Sequence, residues 1–120
     1  MKGISHPALD DISLENVCQA LTDPVRIEIV GRLAKMSEAT CSVLNAGRPK
    51  SSMSHHYRVL RDSGLICTRT RGTTHFNALR RAELDARFPG LLDALLKAMA
   101  VDADGEAKYE ASPRSSTIPI

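Results

Sequence analysis

Apolar positions recur along this chain at a helical period, drop to a strand period once, and return to the helical one. Leu14, Val17, Cys18 and Leu21 stand at i, i+3, i+4 and i+7, which predicts an amphipathic helix opened by Ser13 or Asp11. Asp23-Pro24 is a second start signal. Asp23 serves as N-cap and Pro24 takes the first helical position, where a missing N–H costs nothing, so a helix of about Pro24 to Lys35 buries Val25, Ile29, Val30 and Leu33. From Met36 to Pro49 the pattern is weaker, and Cys41, Val43, Leu44 and Ala46 predict one short helix ending near Gly47. Met53, Tyr57 and Leu60 then mark the inward side of a fourth helix, capped by Ser51 or Ser52 and running to about Ser63. Its other side is polar, with Ser51, Ser54, His55, Arg58 and Asp62. Gly64 falls where a left-handed C-cap is expected, with Leu65 to close its hydrophobic contact.

Beyond that glycine the period becomes two. Leu65 to Arg69 and Thr74 to Ala78 flank Thr70-Arg71-Gly72-Thr73, the pattern of a short hairpin with a basic tip. Arg80 to Arg87 holds a short turn of helix, and Pro89 opens a last helix with a broad stripe of Leu91, Leu92, Leu95, Leu96 and Met99. The fold expected is mainly α with a small β-hairpin wing: four helices, two strands and a final helix, in the arrangement of a winged helix-turn-helix. Residues 1–10 are expected to be a flexible lead-in, because His6-Pro7 discourages a helix. Residues 11–100 form the folded domain. Residues 101–120, which mix charge, Ser, Pro and Gly without a period, are expected to be a disordered tail.

Composition narrows the class. Apolar residues make up 42% of the 120, but aromatics only 3%, so Leu, Ile, Val, Ala and Met must build the core. No stretch is apolar enough to span a membrane and the start carries no signal-peptide pattern, which implies a cytoplasmic protein. Three cysteines at 18, 41 and 67 form neither a disulfide framework nor a close-spaced zinc signature. Charge changes the picture most. Between Arg48 and Arg81 lie eight Arg or Lys and one acid, Asp62, so this quarter of the chain carries +7 while the formal total is +2. A helix with a polar outer face followed at once by a basic hairpin is what a binder of double-stranded DNA needs: the helix enters the major groove and the wing lies along the backbone.

Two stretches resemble a known family. Ala20 to Arg26, continuing through Ile29-Val30, resembles the second-helix opening of the ArsR/SmtB-type winged-helix transcriptional regulators. Ser51 to His56, with Val59 to Ile66, resembles their recognition helix. The resemblance spans roughly residues 12–100. It implies a homodimer built from the first and last helices that binds a palindromic operator as a repressor released by an effector. It puts the groove-facing positions on Lys50, Ser51, Ser54 and His55, and the wing on Arg69 to Thr74. The family's metal sensors carry a Cys-x-Cys pair at the third helix, or an Asp/His set on the last. Here Cys41 is followed by Ser42, and the last helix has Asp93 but no His, so neither a metal nor any other cofactor is expected.

Candidate DNA-binding residues are therefore Lys50, Ser51, Ser54, His55, Arg58, Arg69, Arg71 and Thr73. The expected dimer interface comprises Leu14, Val17, Leu91, Leu92, Leu95, Leu96 and Met99. His56 points about 100° away from His55 and reads as structural. Cys18 and Cys67 read as small buried hydrophobes, and Cys41, in a less regular stretch, is the candidate redox residue should the effector be an oxidant rather than a small molecule. The competing reading is a winged-helix interaction module that turns its basic face to an acidic protein. An enzyme is disfavoured, since there is no glycine-rich phosphate loop, nucleophile elbow or paired-carboxylate face.

Overall fold

Asp23 and Pro24 act as their chemistry dictates. The Asp23 carboxylate accepts the Val25 N–H at 2.8 Å, and that bond, more than any other influence, holds its carboxyl below the ordinary range. Three residues on, the buried Arg26 turns back: its Nε donates to the Ala20 carbonyl at 2.6 Å, satisfying a last-turn acceptor of the preceding helix. The run from Ala20 to Arg26 is thus a joint that closes one helix and opens the next.

The computed structural model describes residues 4–111, with side-chain environments through Asp102. After a single 3-10 turn at Leu9–Asp11 come α1 (Leu14–Ala20), α2 (Pro24–Leu33), β1 (Ala39–Thr40), α3 (Cys41–Asn45), α4 (Lys50–Asp62), β2 (Ile66–Arg71), β3 (Thr74–Leu79), α5 (Arg81–Arg87) and α6 (Leu91–Ala111). The three strands form one antiparallel sheet in the order β1-β3-β2. Ser13 caps α1, accepting from the Asn16 N–H. Ile29, Val30 and Leu33 of α2, Leu44 of α3, Met53, Tyr57 and Leu60 of α4, and Leu65-Ile66 at the wing root share one core with Ile12, Val17, Leu84 and Leu92.

The junction from α4 to the wing is a Schellman cap. Gly64 N–H bonds to the Arg61 carbonyl at 3.0 Å and Leu65 N–H to the Leu60 carbonyl at 3.1 Å, with Gly64 at φ +88°. The hairpin turns on two residues, Gly72 and Thr73, between the pair Arg71 and Thr74. Gly72 has φ +64°, the positive first position that such a tight hairpin loop demands.

Several sequence expectations need correction. α4 begins at Lys50, with Pro49 in the cap position and no side-chain cap. Ser51 and Ser52 therefore lie inside the first turn, where Ser52 donates to the Pro49 carbonyl; a hydroxyl within the first turn can bond backwards to a carbonyl rather than cap. β1 was not foreseen, because two residues show no period. The lead-in is tied down over its described part. His6 Nε2 accepts the outward Thr68 N–H of edge strand β2 at 2.9 Å, and Arg80 donates to the Pro7 carbonyl at 2.8 Å. These partners lie 62 and 73 positions apart in the chain. α6 continues past residue 100 to Ala111, through a stretch with three Ala and two Glu, which favour helix; residues 112–120 of the expected tail lie outside the described residues. Cys18 and Cys67 are exposed. α1 buries Val17 and Ala20 and leaves Leu14 49% exposed, and strand alternation puts Ile66 and Thr68 inward, Cys67 outward.

Candidate nucleic-acid interface

α4 presents Lys50, Ser51, Ser54, His55 and Arg58 to solvent while Met53, Tyr57 and Leu60 are buried. The polar residues occupy two neighbouring rows. Lys50 and Ser54 share a line with Tyr57, and Ser51, His55 and Arg58 share the next, about 100° around. Ser54 donates its hydroxyl proton to the Lys50 carbonyl at 3.2 Å, which leaves its oxygen lone pairs facing outward as acceptors. His56 does not join this surface. Its Nδ1 lies 3.1 Å from Arg26 Nη1; since a guanidinium only donates, the imidazole accepts and braces α4 against α2.

A buried polar chain fixes the wing to the helices. The Tyr57 hydroxyl donates its one proton to Asn45 Oδ1 at 2.5 Å, with the Cys41 carbonyl 3.3 Å away, and burial pushes the phenol well above its ordinary pKa. Across from it, Asn77 of β3 is fully buried. It donates to the Ala39 carbonyl and to Cys41 Sγ at 3.3 Å, and accepts from the Thr68 hydroxyl at 2.7 Å. These bonds join α4, α3 and both wing strands. Cys41, the candidate redox residue, is half-buried, with its sulfur accepting from that amide. Sequence pattern did not single out Asn77 or Asn45: a polar residue that is buried by contacts distant in the chain carries no periodic mark.

Pairing decides which cations are available. Of the eight Arg and Lys between 48 and 81, four are matched by a carboxylate from outside that stretch. Arg48 meets Glu28 at 2.8 Å, Arg69 meets Glu38 at 2.6 Å, Arg80 meets Glu83 at 2.7 Å and Arg81 meets Asp93 at 3.7 Å. The Arg48 hydrogen bond holds the Glu28 carboxyl below its usual range, and Arg80 does the same to Glu83. Arg80 is itself buried and belongs to the scaffold. Lys50, Arg58, Arg61 and Arg71 make no ion pair among the described residues. All four lie on α4 or at the wing tip, so the surviving positive charge is concentrated where the polar helix face is.

The wing departs from expectation in one respect. Arg69 and Arg71 alternate with Thr68 and Thr70, and Arg69 lies opposite Phe76, its guanidinium 4.8 Å from that ring centre and bonded twice to Glu38. Arg69 is thus held on the outer face of the wing by a carboxylate and an aromatic ring, whereas Arg71 carries no such restraint. Thr73, exposed in the loop, borders with Lys50 and Ser54 a cleft of about 440 Å³ between helix and wing. Among the described residues no group of three or more His, Cys, Asp or Glu is placed to hold a metal ion, and no helix is long and apolar enough to cross a membrane.

The expected dimer residues divide. Val17 and Leu92 are 1% and 2% exposed within a single chain. They pack under the surface and cannot themselves meet a partner. Leu14 is exposed, and Leu91, Leu95, Leu96 and Met99 are half-covered.

No family model matches the chain. Over 89 residues it is 29% identical to an uncharacterised HTH-type transcriptional regulator, YceK, of Bacillus subtilis, an alignment covering 72% of this chain and 89% of the relative. Over 73 residues it is 32% identical to the arsenical resistance operon repressor of Staphylococcus xylosus, covering 60% of this chain and 70% of that one. Among solved structures, the crystal structure of an ArsR family transcriptional regulator superposes with a TM-score of 0.56 at 29% identity, covering 81% of this chain and 96% of its own.

Proposed function

Because the chain belongs to the ArsR family of winged helix-turn-helix transcriptional regulators, we propose that it acts as a homodimeric repressor, binding a palindromic operator and leaving it when an effector binds. The relatives are regulators, not enzymes. The observation that carries the DNA-binding reading is the sorting of charge. Acidic partners neutralise Arg48, Arg69, Arg80 and Arg81 and leave the cations on α4 and at the wing tip without an ion pair among the described residues, where phosphates would replace condensed counterions.

Within this reading Ser51, Ser54 and His55 are short enough to reach base edges only from a helix seated in the major groove, so they specify. Lys50 reaches a guanine edge or a phosphate. Arg58, Arg71 and Thr73 hold the backbone, and Arg69 does so only by exchanging Glu38 for a phosphate. Leu14, Leu91, Leu95, Leu96 and Met99 supply the dimer contact, over Val17 and Leu92 beneath them. A two-fold dimer then sets its two copies of α4 into successive turns of the major groove, about 34 Å apart.

The test compares two variants on operator and scrambled duplexes at several salt concentrations. His55→Ala is expected to narrow the gap between the two DNAs by about 1–3 kcal/mol, whereas Arg71→Ala weakens both alike and lowers the salt slope by about one unit. An operator preference intact in His55→Ala and abolished in Arg71→Ala would mean that the wing reads the sequence.

A further inference from the structure

The segment from His6 to Ile12 is fastened at four points to parts of the chain far from it in sequence. His6 Nε2 accepts the Thr68 N–H at 2.9 Å, the Pro7 carbonyl accepts from Arg80 Nη1 at 2.8 Å, and the Ile12 carbonyl accepts from Arg87 Nε at 2.9 Å. The fourth is steric: the Ile12 side chain fills the space beside Gly64, where α4 joins the wing. Thr68 is where this segment meets the wing's own support. Its hydroxyl donates to the buried Asn77, which reaches β1 and α3, while its N–H, on the open edge of β2, has His6 as acceptor. Arg71 and Thr73 follow toward the wing tip, so a fixed Thr68 sets the base from which the tip can swing.

An imidazole nitrogen accepts only while it is unprotonated. The groups around His6 act against a proton there. Arg61 of α4 and Arg80, the cap residue of α5, oppose a further cation; Glu83 of α5 favours one but is committed to Arg80 by two bonds, and β2 adds the Cys67 thiol near Arg80. Burial first, then these two arginines, lower the pKa of the tied imidazole from 6.5. Below 6.5 the untied segment therefore takes the proton before the tied one, and acid favours release.

We propose that residues 6–12 are a pH-responsive strap that holds the wing in place for DNA binding, with His6 as the positioning residue that lets go of Thr68 on taking a proton. This rests on the DNA-binding reading above and adds a control to it. Once released, the wing must be ordered again when DNA binds, and that entropy weakens the affinity.

The experiment compares the full chain with His6→Gln, which keeps an uncharged acceptor at every pH, and His6→Lys, which carries a charge and no acceptor. The other three histidines are common to all three chains, so ratios between chains cancel their titration. Affinity for a fluorescein-labelled duplex of arbitrary sequence is measured at fixed ionic strength, at about pH 7.5 and about pH 5.5. The parent is expected to match His6→Gln at the higher pH and to fall toward His6→Lys at the lower, a loss of about 3- to 10-fold against His6→Gln, the equilibrium worth of one hydrogen bond. Amide exchange in the free chains, divided by the intrinsic rate, is the second readout. Thr68 N–H is expected to lose protection in acid in the parent, to keep it in His6→Gln and to lack it throughout in His6→Lys, while the buried Leu60 of α4 stays protected in all. A parent-to-Gln affinity ratio that ignores pH would overturn the proposal, as would His6→Lys binding duplex as tightly as His6→Gln. Leu60 losing protection together with Thr68 would mean general unfolding and overturn it too. If Thr68 exchange behaves as expected but no chain binds duplex at either pH, the DNA-binding reading falls, and with it the strap's role in binding.

Discussion

Replacing Gly64 by alanine tests the joint between the recognition helix and the wing, and its cost can be worked from the geometry. Gly64 sits at φ +88°, and a Cβ built there would lie 2.6 Å from Ile12 Cγ1 and 2.7 Å from Cδ1. The left-handed conformation alone costs an L-residue roughly 1–2 kcal/mol. Ile12 is 1% exposed, so it has no free space to retreat into, and overpacking of this kind costs typically 1–3 kcal/mol more. The sum, about 2–5 kcal/mol, is a large share of the roughly 5–15 kcal/mol that holds a domain folded. Gly72→Ala supplies the comparison: φ is +64° but nothing lies within 4 Å of the added methyl, so only the conformational part remains. Denaturant titration followed by circular dichroism is expected to show a midpoint loss for Gly64→Ala at least twice that for Gly72→Ala, with unchanged slope. Equal losses would refute the steric part of the reasoning, and with it the view that Ile12 of the N-terminal segment locks this joint.

Three further outcomes follow from the same structure. Tyr57→Phe leaves the buried Asn45 Oδ1 without its hydroxyl donor and is expected to cost about 1–3 kcal/mol in the same titration; a loss under about 0.5 kcal/mol would show that the network is not closed as described. His6 accepts from Thr68 only when neutral, and burial first, then Arg80 and Arg61, lower its pKa from 6.5. Above that value neither state takes the proton; below it the unfolded chain takes it first. Stability therefore falls as pH drops from 6.5 towards the lowered folded value, and His6→Gln is expected to flatten that part of the profile, whereas identical profiles would contradict the tie. Leu95→Glu is expected to give a monomer by light scattering at micromolar concentration, and a monomeric parent would count against the dimer.

The elements legible in the sequence were those with a sustained period: α1, α2 and α4, the hairpin, and the apolar start of α6. The Asp23-Pro24 start and the Gly64 stop were legible too, because each is decided by the local backbone. Elsewhere the pattern was too short, as in β1, or the outcome depended on distant partners. The lead-in looked unconstrained until His6 met Thr68, and the charge excess between Arg48 and Arg81 looked uniform until Glu28, Glu38, Glu83 and Asp93 claimed half of its cations. Cys18 and Val17 fall on one predicted stripe, yet only Val17 reaches the core, since the interior admits a narrower arc of this short helix than the apolar residues offer.

In the function proposed above, the polar face of α4 reads a DNA sequence. Fragments selected from genomic DNA by the full chain, then titrated against their scrambled counterparts at physiological salt, test it most directly. A preference of about 10³-fold or more for the selected site over its scramble is expected, with both affinities falling steeply as salt rises. Equal affinity for the two DNAs at every salt concentration would contradict it.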